Sequence, residues 1–142
     1  MPAYFDSNIL VSILKNDSQA GRAARLWEDH KVRVSSILLE IECLIVIRRF
    51  GRQFEERLPE GWLPAKENQL QKALGAVTLR GIDSVIVEII RHEPLLSQCR
   101  SLDAIHLATA LYFQRNSDDP CYFFTFDSTL DGVARKFKFL TA

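Results

Sequence analysis

Four acidic residues are set apart by what surrounds them: Asp6, Glu42, Asp103 and Asp127. Asp6 closes the apolar run from Pro2 to Phe5, and Asp127 closes the aromatic run from Cys121 to Phe126. Each is thereby expected at the carboxyl end of a buried strand. Glu42 has Leu38, Leu39, Ile45 and Val46 one helical turn away, so its carboxylate would emerge from an apolar wall. Asp103 falls in the first turn of a helix expected to open at Ser101, where free N–H groups and the dipole favour an ionised acid by roughly 0.3–1 kcal/mol. Carboxylates gathered in one place repel one another, and without a cation some would take up protons. A divalent ion removes that conflict. Oxygen ligands with no histidine or cysteine cluster suit Mg²⁺ or Mn²⁺ rather than Zn²⁺. The chemistry implied is metal-assisted hydrolysis, with water attacking a phosphodiester in line.

The elements that must position these acids alternate along the chain. After the first strand, helical patterning covers Ile9 to Lys15 and Ala20 to His30, and Val32 to Val34 reads as a strand. Ser35-Ser36 can cap a long helix from Ile37 to about Phe50, with Gly51 as its stop. The stretch from Arg52 to Ala65 carries charges, two prolines and Gly61 and has no assigned element, although Trp62 could anchor it. Helix from Lys66 to Leu74, strand from Ala76 to Leu79 and helix from Ser84 to Arg91 follow. An amphipathic helix from Leu102 to Gln114 leads into the aromatic strand, a short helix from Thr129 to Arg135 and a last edge strand from Phe137 to Leu140. The alternation predicts one α/β domain over residues 1–142, with a parallel sheet of four to five strands flanked by helices. In such sheets ligands sit beyond the carboxyl ends of the strands, where Asp6 and Asp127 are expected.

Bulk properties narrow the classes further. A chain of 142 residues, 47% of them hydrophobic, can bury a core without disulfides or structural zinc. Eighteen basic residues balance eighteen acidic ones, so any nucleic-acid contact must be local. Cys43, Cys99 and Cys121 are odd in number and lack zinc-type spacing, which points to a reducing cytoplasm. The start, MPAYFDSN, carries no basic leader, and Glu40, Glu42 and Glu88 interrupt the apolar stretches, so neither a signal peptide nor a membrane span is expected. A receiver domain would need an adjacent acidic pair near the start, and a haloacid-type phosphatase would need Asp-x-Asp. Here Asp6 is followed by Ser7 and Asn8.

The segments YFDSNIL, SSILLEIECLIVIRR, RSLDAIHLATAL and FFTFDSTLDGVARK, in this order, resemble the PIN-domain family, especially its VapC-type toxins. The likeness spans nearly the whole chain apart from residues 51 to 76. It implies a PIN-like α/β/α sandwich and a Mg²⁺- or Mn²⁺-dependent endoribonuclease that leaves 5′-phosphate and 3′-hydroxyl ends. By that resemblance Asp6, Glu42, Asp103 and Asp127 are the catalytic acids, with Asp6, Asp103 and Asp127 on the metal and Asn8 and Thr125 supporting them. It further implies a homodimer and a VapB-like antitoxin that covers the site.

Each of these residues also has a plainer reading. Asp6 alone could simply cap a helix, Asp103 alone could be an ordinary first-turn acid, and Asp127 alone a turn residue. Glu40 would replace Glu42 if the helix register were off by two; Glu42 is favoured, because Glu40 has Ser36 on one side. Asp131 could reach a metal through water or be a solvated helix acid. His106 could contact substrate, orient a carboxylate or be a hydrogen-bonded helix histidine. Arg48, Arg49 and Arg52 could grip RNA phosphates or an acidic antitoxin tail, or serve a helix end that favours cations. Phe123, Phe124 and Phe126 are expected in the core, and Trp62 is the better placed aromatic for an outside contact.

Overall fold

The computed structural model describes all 142 residues, Met1 to Ala142. Four strands form one parallel sheet: β1 (Ala3–Phe5), β2 (Arg33–Ser36), β3 (Thr78–Arg80) and β4 (Tyr122–Phe124), in the order β3-β2-β1-β4. Tyr4 pairs with Val34 on one side and Phe123 on the other. The central strand β1 is completely buried, as its unbroken apolar run requires.

Side chains alternate across the sheet and divide the core in two. Ala3, Phe5 and Phe124 face helices α1 (Ser7–Lys15), α2 (Ala20–Asp29), α3 (Leu38–Gln53) and α4 (Trp62–Leu74), where Leu10, Trp27, Leu39, Ile47 and Leu70 fill the layer. Tyr4 and Phe123 face the opposite layer, built from α5 (Ser84–His92), α6 (Ser101–Arg115) and α7 (Ser128–Lys136) around Ile86, Leu107 and Leu111. The architecture is the expected α/β/α sandwich, with a sheet of four strands.

Local details differ from the sequence expectation. Gly51 does not end α3, which runs on to Gln53. A Cβ at Gly51 would lie 3.3 Å from the Trp62 ring, so this glycine permits a close helix–ring contact. Trp62 packs on Phe50 and opens α4 four residues ahead of the expected start, with Pro64 in the first turn, where no intrahelical N–H is needed. The N-cap position of α3 belongs to Ile37; Ser36, the last residue of β2, accepts from the Leu38 N–H through Oγ at 3.1 Å, whereas Ser35 Oγ donates to Phe5 O and ties β2 to β1. Ser101 lies inside α6, and the N-cap position belongs to Arg100. The expected last strand shrinks to a single bridge between Leu140 and Tyr122, because the chain turns through Lys138 at φ 69°. No helix is long and apolar enough to cross a membrane.

Candidate active site

The carboxyl ends of β1 and β4 lie side by side, and the next residue of β1 is Asp6. Asp6 caps α1 by accepting from the Ser7 N–H at 2.7 Å through Oδ1. Its other oxygen accepts from Thr125 Oγ1 at 2.7 Å. Thr125 also accepts from the Asp127 N–H at 3.0 Å and from Asn8 Nδ2 at 3.1 Å, while Asn8 Oδ1 takes the Phe126 N–H. Thus the chain just beyond β4 is fastened to the first turn of α1, and both Asp6 oxygens are fixed in direction.

Glu42 enters from α3. Its Oε1 accepts from Ser7 Oγ at 2.7 Å and lies 2.5 Å from His106 Nε2. Glu40 takes part in none of these contacts, because two residues rotate a helical side chain to another face. His106, fully buried on α6, has its other nitrogen 2.7 Å from the Tyr4 hydroxyl and stands 3.5 Å from Asp6 Oδ1. One ligand atom from each of Asp6, Glu42 and His106 falls within 4.8 Å of the others.

Asp103 and Asp127 face an adjoining cleft of about 320 Å³, together with Cys99, Arg100 and Thr129. Asp127 caps α7 through Oδ1, which accepts from the Leu130 N–H at 3.0 Å and leaves Oδ2 uncommitted. Asp103 sits one helical turn before His106 and accepts no hydrogen bond from the protein. Asp131 is engaged elsewhere, by Arg135 at 2.8 Å on the same helix.

The electrostatics follow from this crowding. Burial pushes the Asp6 carboxyl up, and the His106, Thr125 and Ser7 contacts only partly offset it. Asp103 is raised by its own partial burial and by the charges of Asp6 and Asp127. Burial works on Glu42 in the same direction, but hydrogen bonds from His106 and Ser7 overcome it and hold this acid below its ordinary value. Burial lowers His106, yet the Glu42 hydrogen bond and the Asp6 charge leave it raised. Cys99 is raised by burial and by Asp103 and Asp127, which keeps its thiol protonated and unsuited to nucleophilic attack.

These groups fit a hard divalent cation. Asp103 has no protein donor to satisfy its charge, Asp6 carries the penalty of burial, and all the uncommitted donors are carboxylate oxygens. The structure brings the carboxylates of Asp6 and Glu42 together with His106, and it sets Asp103 and Asp127 in the cleft rather than in that group.

The remaining sequence-flagged residues are spread more widely. Arg48 and Arg49 are exposed, and Arg48 Nε pairs with Glu67 at 2.8 Å. A larger cleft of about 660 Å³ near Trp62 and Arg52 contains none of the four acids. Phe123 and Phe124 are buried, while Phe126 is half-buried beneath the Arg22 guanidinium. Sequence reasoning missed Tyr4 and Ser7. The signal for Tyr4 was available, since a hydroxyl in an otherwise apolar buried strand requires a partner.

Comparison with known proteins agrees with this architecture. A solved toxin–antitoxin complex from Klebsiella pneumoniae contains a chain similar to this one, with a TM-score of 0.63 over 89% of this chain and 87% of that one, at 20% identity. No curated protein matches the sequence. The PIN domain family model matches residues 3–136, which includes every strand and all seven helices. The chain therefore belongs to the PIN domain family.

Proposed function

We propose that this protein is a Mg²⁺- or Mn²⁺-dependent endoribonuclease, the toxin of a VapBC-type pair acting in the cytoplasm. The observation that carries this reading is the meeting of Asp6 and Glu42 at the sheet rim, beside a cleft faced by Asp103 and Asp127. A divalent ion held there would neutralise charge on the phosphodiester and make a water more acidic. The chain's own residues supply the rest. Thr125 and the Ser7 N–H aim Asp6, and the free Asp127 oxygen completes the oxygen-rich wall. Glu42, kept ionised by His106 and Ser7, is the group able to accept the proton of the attacking water.

Arg48 and Arg49 are the cations we assign to phosphate contact. The similarity to a toxin–antitoxin complex supports a VapB-like antitoxin as partner. The homodimer that the family resemblance implies belongs to the same proposal.

The test is to incubate the purified protein with a mixed set of RNAs, with Mg²⁺ or Mn²⁺ and with EDTA. Cleavage is expected only with the metal, and Asp6→Asn or Asp103→Asn should lower it at least 100-fold while the fold stays intact by circular dichroism. Equal cleavage by those variants would expose a contaminating nuclease, and well-folded wild-type protein without turnover would point to a PIN fold kept for binding. Sedimentation of the same preparation reads the dimer. A small acidic-tailed reading frame beside the gene would separate a toxin from a housekeeping nuclease.

A further inference from the structure

The geometry leaves His106 with two roles open to it. One of its ring nitrogens lies close enough to the Asp6 and Glu42 oxygens to join them as a metal ligand. It could instead hold Glu42 and stay off the ion. We propose the second: His106, backed by Tyr4, is a positioning residue that fixes the Glu42 carboxylate. This rests on the metal-dependent reading above and adds to it the device that aims the helix acid.

Nε2 stands 2.5 Å from Glu42 Oε1, and an ionised carboxylate can only accept. Ser7 Oγ, 3.2 Å from Nε2, gives its own hydrogen to Glu42 at the shorter 2.7 Å, so the hydrogen between Nε2 and Glu42 lies on Nε2, and a nitrogen that carries hydrogen has no lone pair for a metal. The opposite nitrogen is 2.7 Å from the Tyr4 hydroxyl, which can donate to a bare Nδ1 or accept from a protonated one. Tyr4 thus satisfies Nδ1 in either charge state of the ring, and Nε2–H points at Glu42 in both. Ligation by Nε2 would require its hydrogen to leave and Glu42 to swing away, breaking a contact that Ser7 Oγ also holds at 2.7 Å.

Packing enforces the arrangement. Tyr4 stacks on Phe123 with ring centroids 5.2 Å apart and meets the His106 ring edge-on at 5.8 Å. The chain of contacts runs from β4 through β1 and α6 to α3, so the direction of one carboxylate is set by four elements. Tyr4 and His106 are 1% and 0% exposed. No RNA could touch this histidine, and its contribution reaches the substrate only through Glu42. In metal sites, partners that orient a working side chain in this way are worth roughly 10- to 100-fold in affinity or activity.

Long-range ¹H–¹⁵N NMR of the wild-type protein tests the assignment directly, first metal-free and then with Mg²⁺ added. Hydrogen is expected on Nε2 of His106 throughout. Its loss from Nε2 on adding Mg²⁺ would overturn the proposal and make His106 a ligand. Calorimetric Mg²⁺ titration of the wild type and cleavage rates at saturating Mg²⁺ supply the second arm. His106→Leu should lower the cleavage rate by about 10- to 100-fold, and His106→Gln, whose amide N–H can reach Glu42, should restore most of it. Equal loss in both variants would reduce the residue to packing and sink the idea. Should wild-type protein keep the Nε2 hydrogen and yet bind no Mg²⁺, the metal-dependent reading falls while the pairing of His106 with Glu42 stands.

Discussion

Asp103 is the carboxylate with the least protein to support its charge. The dipole of α6 favours its ionised form by roughly 0.3–1 kcal/mol, yet burial and the neighbouring charges of Asp6 and Asp127 leave its pKa raised. The consequence for stability has a definite sign. In the unfolded chain an aspartate ionises near its ordinary value of about 3.9, and in the folded chain it ionises later. The folded state therefore binds protons more tightly, so this group's contribution is full below the unfolded value and is lost as pH rises through the folded one. Without metal, Asp103→Asn should melt at a higher temperature than wild type at neutral pH. That advantage should shrink as pH is lowered toward 4. Melting curves in EDTA at a series of pH values measure it, and coincident curves at pH 7 would show that the gathered charges carry no cost.

At the scale of elements, the site depends on a fastening between the end of β4 and the start of α1. Thr125 donates to Asp6 while accepting from Asn8 and the Asp127 N–H. Replacing Thr125 by Val keeps its shape and removes the hydroxyl, which leaves a buried Asp6 oxygen unpaired. Such a loss costs about 1–3 kcal/mol, and denaturant titration should show it. Metal affinity should fall by roughly 10- to 100-fold as well, because Asp6 is no longer aimed. Unchanged values for both would mean that the hydroxyl only fills space. This fastening also explains what could be read in advance. Short apolar runs ending in Asp revealed β1 and β4, and the alternation of periods revealed the sandwich. Contacts made across elements left no local trace. Gly51 reads as a helix stop until Trp62 is placed over it, and Ser7 reads as a first-turn residue until Glu42 arrives from α3.

The whole molecule couples these local facts. Asp6, Glu42 and His106 meet at the sheet rim and Asp103 and Asp127 face a cleft of their own, so an ion held between them, as proposed, would join both helical layers across the sheet. Net charge plays no part in this, since eighteen acids balance eighteen bases over the chain and the repulsion is confined to the rim. A ligand that binds only the folded state stabilises it by RT ln(1 + [L]/Kd), about 2.7 kcal/mol at a hundredfold excess over Kd. For a domain of this size that corresponds to a rise in Tm of the order of 8 °C. The exposed ion pairs offer nothing comparable, because a pair such as Lys31–Glu28 is surrounded by water and weakens with salt. Mg²⁺ at a hundredfold its calorimetric Kd should therefore raise the melting temperature of the wild type by that amount, and EDTA should reverse it. Asp6→Asn, which removes a carboxylate proposed to hold the ion, should show little or no rise at the same concentration. A wild-type transition unmoved by saturating Mg²⁺ would mean that the rim carries its charge unaided, and metal-assisted hydrolysis would lose its physical basis in this protein.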